Sequence, residues 1–219
     1  MYRCMSSISL NKQPSYHHSI QMAASSVHKK MDVQPLNTLR LMPTRHKMKN
    51  VILSIMNEPP GEIVLEFYKY RTKYGEERVE DVCRISNDGL RIVMYKPNRK
   101  KGTRIQDQPP DIPHDGADHI FSYESLPHEH WKKYLYAHRF VQMVRGKTPK
   151  ITFYSELAKC QLMESLEDFE AVFYKCGIKV SKKSNAGDFQ IQSDIAANDR
   201  GNVIQHAEQC YQHCIQIER

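Results

Sequence analysis

The opening 35 residues show no hydrophobic period: Ser, His, Gln and Met are scattered, and no acidic residue precedes Asp32. Such a composition predicts a disordered tail over 1–35. A mitochondrial presequence, which is also Ser-rich and acid-poor, is the competing expectation, although several arginines on one helical face are lacking. From Leu36 the rhythm becomes that of strands. Asn50–Met56 and Glu62–Tyr70 are rich in β-branched and aromatic residues and are separated by the turn signal Glu58-Pro59-Pro60-Gly61. Val79–Ile85 and Leu90–Tyr95 flank Ser86-Asn87-Asp88-Gly89, a hairpin connection whose Asn, Asp and Gly tolerate positive φ. Arg99–Asp118 reads as a Pro/Gly/Asp loop, and His119–Tyr123 as a further strand.

The period then lengthens. Pro127 suits a first helical position, Glu129 favours the positive end of the helix dipole, and Gly146 is placed to close the helix in a left-handed conformation. Trp131, Tyr134, Leu135, Val141 and Val144 form the stripe expected to face a core, with Lys132, Lys133, Arg139 and Arg145 lying off it. After Gly146 the order repeats. Ile151–Tyr154, Ala158–Met163, Phe169–Tyr174, Ile178–Ser181 and Phe189–Gln192 read as strands. Asn202–Glu218 reads as a helix with Val203, Ala207, Cys210, Cys214 and Ile217 inward. Strands then helix, twice, predicts an α+β protein of two like units, 36–150 and 151–219, the second shortened before its helix.

Composition narrows the function classes. The 219 residues are 40% hydrophobic and 26% charged, as in ordinary globular chains. No apolar run approaches the roughly 20 residues of a membrane span, so no membrane partner is expected. The six cysteines form no C-x-x-C pair, which fits reduced thiols in an intracellular protein. The net charge of +7 is carried by the first 50 residues, which hold eight Lys/Arg against Asp32, so the folded remainder is neutral. Within it the signs are blocked. Asp107, Asp111, Asp115, Asp118, Glu124 and Glu129 form an acidic stretch, and between Glu129 and Glu156 six Lys/Arg meet no acid at all.

That basic segment, WKKYLYAHRFVQMVRGKTPKITFY, allows three readings: a nucleic-acid site built with the N-terminal tail, a docking surface for an acidic protein, or a face neutralised by the chain's own carboxylates. Neutrality of the folded part weighs against nucleic acid, because counterion release is strongest from a basic domain. No phosphate-binding loop, dinucleotide fingerprint, kinase signature or nucleophile elbow is present, so no catalytic residue and no cofactor is expected. His206, Cys210 and His213 share a helix face with Cys214 adjacent, but without converging partners they read as core thiols and solvated histidines rather than a zinc site.

LNTLRLMPTRHKMKNVILSI, EDVCRISNDGLRIVMYKPN and LPHEHWKKYLYAHRFVQMVRGKTPKITFYSELAKCQLME together resemble the cryptic polo-box region of the SAK-type polo-like kinases. The resemblance covers about Leu36 to Tyr174 and, more loosely, Asn202–Arg219. It implies tandem polo boxes, each an antiparallel sheet packed by one long C-terminal helix, which self-associate as a homodimer. It further implies docking of acidic segments of centriolar scaffold proteins such as Asterless, which brings a serine/threonine kinase to the centrosome for centriole duplication. Carried onto this chain, the docking residues are Lys132, Lys133, Arg139, Arg145, Lys147, Lys150 and Lys159. The kinase domain and third polo box of that family are missing, so a fragment or truncated product is expected. No His-x-Lys triplet follows residue 150, so the phosphopeptide pincer of other polo-like kinases is not expected.

Overall fold

Alternating strand residues interrupted by short turns build two antiparallel sheets in chain order, each followed by one helix. The computed structural model describes residues 33–192 and 197–219, so the expectations for the N-terminal tail fall almost wholly outside the described residues. The first sheet contains β1 (Thr44–Met48), β2 (Val51–Ile55), β3 (Ile63–Arg71), β4 (Glu76–Ile85), β5 (Arg91–Tyr95), β6 (Thr103–Arg104) and β7 (His119–Ser122). Its spatial order is β1-β2-β3-β4-β5-β7, with β6 pairing β4 beyond the end of β5. A 3₁₀ turn, His128–His130, leads into α1 (Trp131–Arg145). The second sheet, in the order β12-β11-β10-β9-β8, contains β8 (Pro149–Tyr154), β9 (Ala158–Met163), β10 (Phe169–Phe173), β11 (Lys179–Lys182) and β12 (Phe189–Ile191), and α2 (Ala197–Glu218) follows.

Pleating sorts the first sheet into two buried faces. Ile55, Ile63, Ile85 and Ile92 lie in one cross-strand row, and Leu53, Leu65, Cys83 and Met94 in the next. This face meets α1, whose Trp131, Tyr134, Ala137, Phe140, Val141 and Val144 are buried. Trp131 sits edge-on to Tyr123 and Tyr134, with ring centroids 5.3 and 5.5 Å apart. Leu135, expected in that stripe, is only half-buried.

The opposite face carries Ile52, Val64, Val82, Val93 and Tyr95, and the long loop after β5 covers it with Ile105 and Ala117. Two arginines pin the loop down. Arg45 pairs with the fully buried Glu66 and also donates to the Gln106 carbonyl at 2.8 Å. Arg84 pairs with Glu62 at 2.6 Å and donates to the Tyr95 hydroxyl at 2.9 Å and the Pro110 carbonyl at 3.2 Å. A buried carboxylate is tolerated only with such a partner.

Several local expectations need correction. β1 was unforeseen because TRHKM has no core-facing apolar residue; its ladder to β2 and the Arg45 pair hold it. Asn50, at φ 68°, makes the tight β1–β2 turn. The loop over 99–118 contains the short β6. Pro127 is extended and precedes the 3₁₀ turn, so the α-helix begins four residues later than expected, at Trp131. Gly146 is right-handed, at φ −67°, and its use is different: a Cβ there would lie 2.8 Å from the Asp168 carboxylate. In the second unit Ala158, Cys160, Leu162, Phe169, Ala171, Phe173 and Val180 pack against Ala207, Cys210 and Cys214 of α2. Ile217, expected inward, is exposed at the helix end.

Replacing Arg45 with Met strands the Glu66 carboxylate in the core. It should lower unfolding stability by about 3–5 kcal/mol in urea titrations, with most of the loss recovered when Glu66→Leu is added.

Candidate protein-docking surface

The expected docking residues divide into two groups once α1 is set on its sheet. Lys133 turns back toward the sheet: it pairs with Asp81 of β4, lies 5.2 Å from the centre of the Phe67 ring and 3.9 Å from the Met94 sulfur. Lys150 pairs with Glu218 at the end of α2. These two cations hold elements together. Lys132, Arg139 and Lys147 are exposed, and among the described residues no carboxylate lies within ion-pair distance of them. Arg145 is half-buried and donates to the Asn37 carbonyl at 2.9 Å. Lys159 lies on β9, half-buried, apart from α1 and unpaired with any described carboxylate.

None of the six acidic residues of the preceding stretch pairs with a described cation of α1, and two of them are engaged elsewhere. Asp118 accepts the Lys96 backbone N–H at 2.8 Å and the Arg99 guanidinium at 2.9 Å, and Asp115 lies 3.6 Å from the same arginine. The reading in which that stretch neutralises the basic helix is therefore not what the fold does. The outward cations of α1 keep their field.

A strap, residues 36–43, crosses the end of α1 nearest the second sheet. Leu36 is buried and its N–H donates to the Tyr134 hydroxyl at 3.1 Å, while that hydroxyl donates to the Gly89 carbonyl, also at 3.1 Å. Gly89 must be glycine: its φ is +74°, and a Cβ would fall 2.3 Å from the Leu36 nitrogen. Thr38 donates its backbone N–H to Asn87 at 2.9 Å, which ties the strap to the β4–β5 turn. One recess of about 360 Å³ lies between Leu39, Arg40, Arg145 and Glu164. Another, of about 230 Å³, lies between Met42, His46, Met143 and Lys147. Arg40 and His46 were not among the expected site residues. The signal was weak, since Arg40 is a single basic residue between apolar ones and His46 follows an arginine in a short polar strand.

Electrostatics agree with this division. Burial beneath α1 pushes the Cys83 thiol up to about 12, partly offset by Lys133. The His138 imidazole is held below its usual range by burial and by the Arg145 charge. Neither group is placed to react. In the second unit the His206 ring is 2.9 Å from the Ser155 hydroxyl and 3.6 Å from the Cys210 sulfur, and His213 packs on Phe153 with ring centroids 4.6 Å apart. His206 is half-buried and His213 exposed, as solvated histidines beside the buried Cys210 and Cys214. Among the described residues no helix is long and apolar enough to cross a membrane.

Comparison with known proteins adds independent findings. Residues 33–145 match the family model described as Polo-like Kinase 4 Polo Box 1, and residues 147–219 match that of Polo-like Kinase 4 Polo Box 2. Among curated proteins, the Serine/threonine-protein kinase PLK4 of Aedes aegypti is 56% identical over 199 residues, covering 87% of this chain and 26% of that protein. The proteins of the same name from Drosophila ananassae and Drosophila melanogaster are 47% and 44% identical, covering 86% and 89% of this chain. The chain thus spans about a quarter of the length of these relatives, 26%, 25% and 26% respectively.

Replacing Tyr134 with Phe orphans the Leu36 N–H and the Gly89 carbonyl, at a cost of about 1–3 kcal/mol in denaturant unfolding. Burial pushes the Tyr134 hydroxyl up to about 12, so the folded state holds this proton more tightly than the unfolded chain. Its contribution is complete below the ordinary tyrosine value of about 10 and is lost as pH rises from there toward 12. The alkaline fall in stability should be shallower in Tyr134→Phe.

Proposed function

The chain belongs to the polo-like kinase 4 polo-box family, and from that premise we propose that it is a non-catalytic docking and self-association module. It captures acidic segments of centriolar scaffold proteins, of the Asterless type, and so places a serine/threonine kinase at the centriole for duplication. The observation that carries this reading is the fate of the charges: Lys132, Arg139 and Lys147 face solvent without a carboxylate among the described residues, although six acidic residues immediately precede the helix in the chain. An unneutralised row of cations on a rigid helix steers and holds an acidic guest. Arg145 and Arg40 extend the row across the strap, whereas Lys159 lies on the outward face of the second sheet, apart from this row. Lys133 and Lys150 support the surface rather than touch the guest, because each is engaged by a carboxylate of the chain itself.

Self-association is assigned to the outward face of the second sheet. Tyr154, Lys159 and Val172 align in one cross-strand row there, and Leu157 with Tyr174 forms the next pair toward the strand ends. Tyr154, Leu157, Val172 and Tyr174 are exposed apolar side chains gathered around Lys159, and an exposed apolar cluster of that kind supports an association site. A second copy presents the same face, as twofold pairing requires.

The test combines Lys132→Glu, Arg139→Glu and Lys147→Glu. Affinity for an acidic scaffold peptide, followed by fluorescence anisotropy, should fall at least tenfold with the thermal melt unchanged, whereas Lys133→Met should lower the melt. Unchanged peptide affinity in the triple variant, or capture of duplex DNA in place of peptide at physiological salt, would overturn the docking assignment. In light scattering, Tyr154→Glu with Tyr174→Glu should shift a dimer to monomer.

A further inference from the structure

The two sheets differ at one edge. In the first, β7 covers β5, with Ile92 paired to Phe121 and Met94 to His119. Those two β5 side chains face α1 and are sealed, Ile92 1% and Met94 3% exposed. β12 holds the equivalent place in the second sheet, fifth in the antiparallel series that starts at β8. Among the described residues no strand pairs its outer edge. Residues 96–130 separate β5 from α1, but only 192–196 separate β12 from α2, too few to turn back and lay down another strand.

Register fixes which groups are left open. Gln192 donates its N–H to the Lys179 carbonyl at 3.0 Å, and Gln190 lies opposite Ser181, so both turn their backbone toward β11. Phe189 and Ile191 alternate with them and turn their N–H and C=O groups outward. Their side chains lie on the α2 side of the sheet yet are only half-buried. Phe189 stands edge-on to Phe169 and Tyr211, with ring centroids 6.1 Å away in each case. Open sheet edges are ordinarily guarded by proline or by charge, and Phe189-Gln190-Ile191-Gln192 has neither. Lys182, opposite Phe189, places its Nζ 4.4 Å from the centre of the Tyr211 ring and 5.8 Å from that of Phe189, unpaired with any described carboxylate.

We infer that β12 accepts an extended segment of a partner protein, which adds to the second sheet as an antiparallel strand in the position that β7 fills in the first. The guest residues opposite Phe189 and Ile191 are large and apolar, because the pleat turns them toward α2. The residue between them falls beside Gln190 on the other face and is polar. A carboxylate at the guest end that abuts Phe189 meets Lys182. Main-chain bonds to the open edge supply the affinity, and the two apolar side chains supply the selectivity. The cationic ridge of α1 takes no part, so this site stands whether or not the docking function proposed above holds.

The probe is a short acetylated peptide in which threonine alternates with phenylalanine and isoleucine, ending in glutamate. Added to the intact chain, it should slow amide hydrogen exchange at Phe189 and Ile191 and leave the α1 amides unchanged. N-methylation of the two apolar residues, whose N–H groups face β12 in this pairing, should weaken binding roughly tenfold or more by fluorescence anisotropy. N-methylation of the threonines, whose N–H groups point away, should leave affinity within about twofold. Ile191→Pro, which deletes one outward N–H and spares the β11 ladder, should abolish binding while the thermal melt stays cooperative. Equal loss from both methylated peptides, or exchange protection on α1 rather than β12, overturns the inference, as does absence of binding by the unmodified peptide. A dimer in light scattering that Ile191→Pro dissolves and the peptide does not displace puts a second copy at this edge, and overturns it too.

Discussion

One hydroxyl holds three distant parts of the chain in register. The Tyr134 oxygen takes the Leu36 N–H and gives its own proton to the Gly89 carbonyl, so the strap, the β4–β5 turn and α1 meet at a single buried point. The meeting is possible because residue 89 lacks a Cβ, which would otherwise overlap the strap backbone. The strap side of the docking surface is arranged around this node. The strap reaches Arg145 through the Asn37 carbonyl, and the two recesses form because the strap lies across the helix at that height. A buried polar node of this kind is worth more than its bonds suggest, because losing one member strands the others away from water.

Charge placement follows from the same geometry. α1 must bury Trp131, Tyr134, Ala137, Phe140, Val141 and Val144, which leaves a fixed outward ridge. Lys133 falls at the boundary between these faces, close enough to the sheet to reach Asp81, and Lys150 falls where β8 meets the end of α2. The cations that remain in solvent do so because the preceding acidic loop folds over the opposite face of the sheet. There Arg99 takes Asp115 and Asp118, and Arg45 and Arg84 take the Gln106 and Pro110 carbonyls. The loop aspartates are thus held on the far side of the strands from α1, while Glu124 and Glu129 follow β7 at the approach to the helix, where Glu129 lies 3.5 Å from the His130 ring.

Much of the architecture was legible from pattern. Strands β2 to β5 carry β-branched residues bounded by Pro/Gly and Asn-Asp-Gly signals, and α1 carries an apolar stripe, so the strands-then-helix order of the α+β fold could be read directly. Elements held by pairing rather than by their own composition could not. β1 has no inward apolar residue and depends on its ladder to β2, and β6 is two residues long. The site was half legible. A run of six cations identifies the segment, but which of them stay in solvent depends on Asp81, 52 positions before Lys133, and on Glu218, 68 positions after Lys150. Arg40 gave little warning, since its relevance comes from where the strap crosses the helix.

Gly146 bears on how such modules are inherited. Only Gly146, Lys147 and Thr148 lie between the last residue of α1 and the first of β8, and the first of these is pressed against Asp168 of the second unit, where no larger residue fits without displacement. Thr148 is buried, its hydroxyl bonded to the Val144 carbonyl at 2.9 Å and its own carbonyl to the Glu164 N–H at 2.8 Å. A junction so short and so occupied has no slack for recombination. Either half grafted alone onto another protein would carry an unfinished seam, so evolution should duplicate, lose or transplant the two boxes as one indivisible cassette.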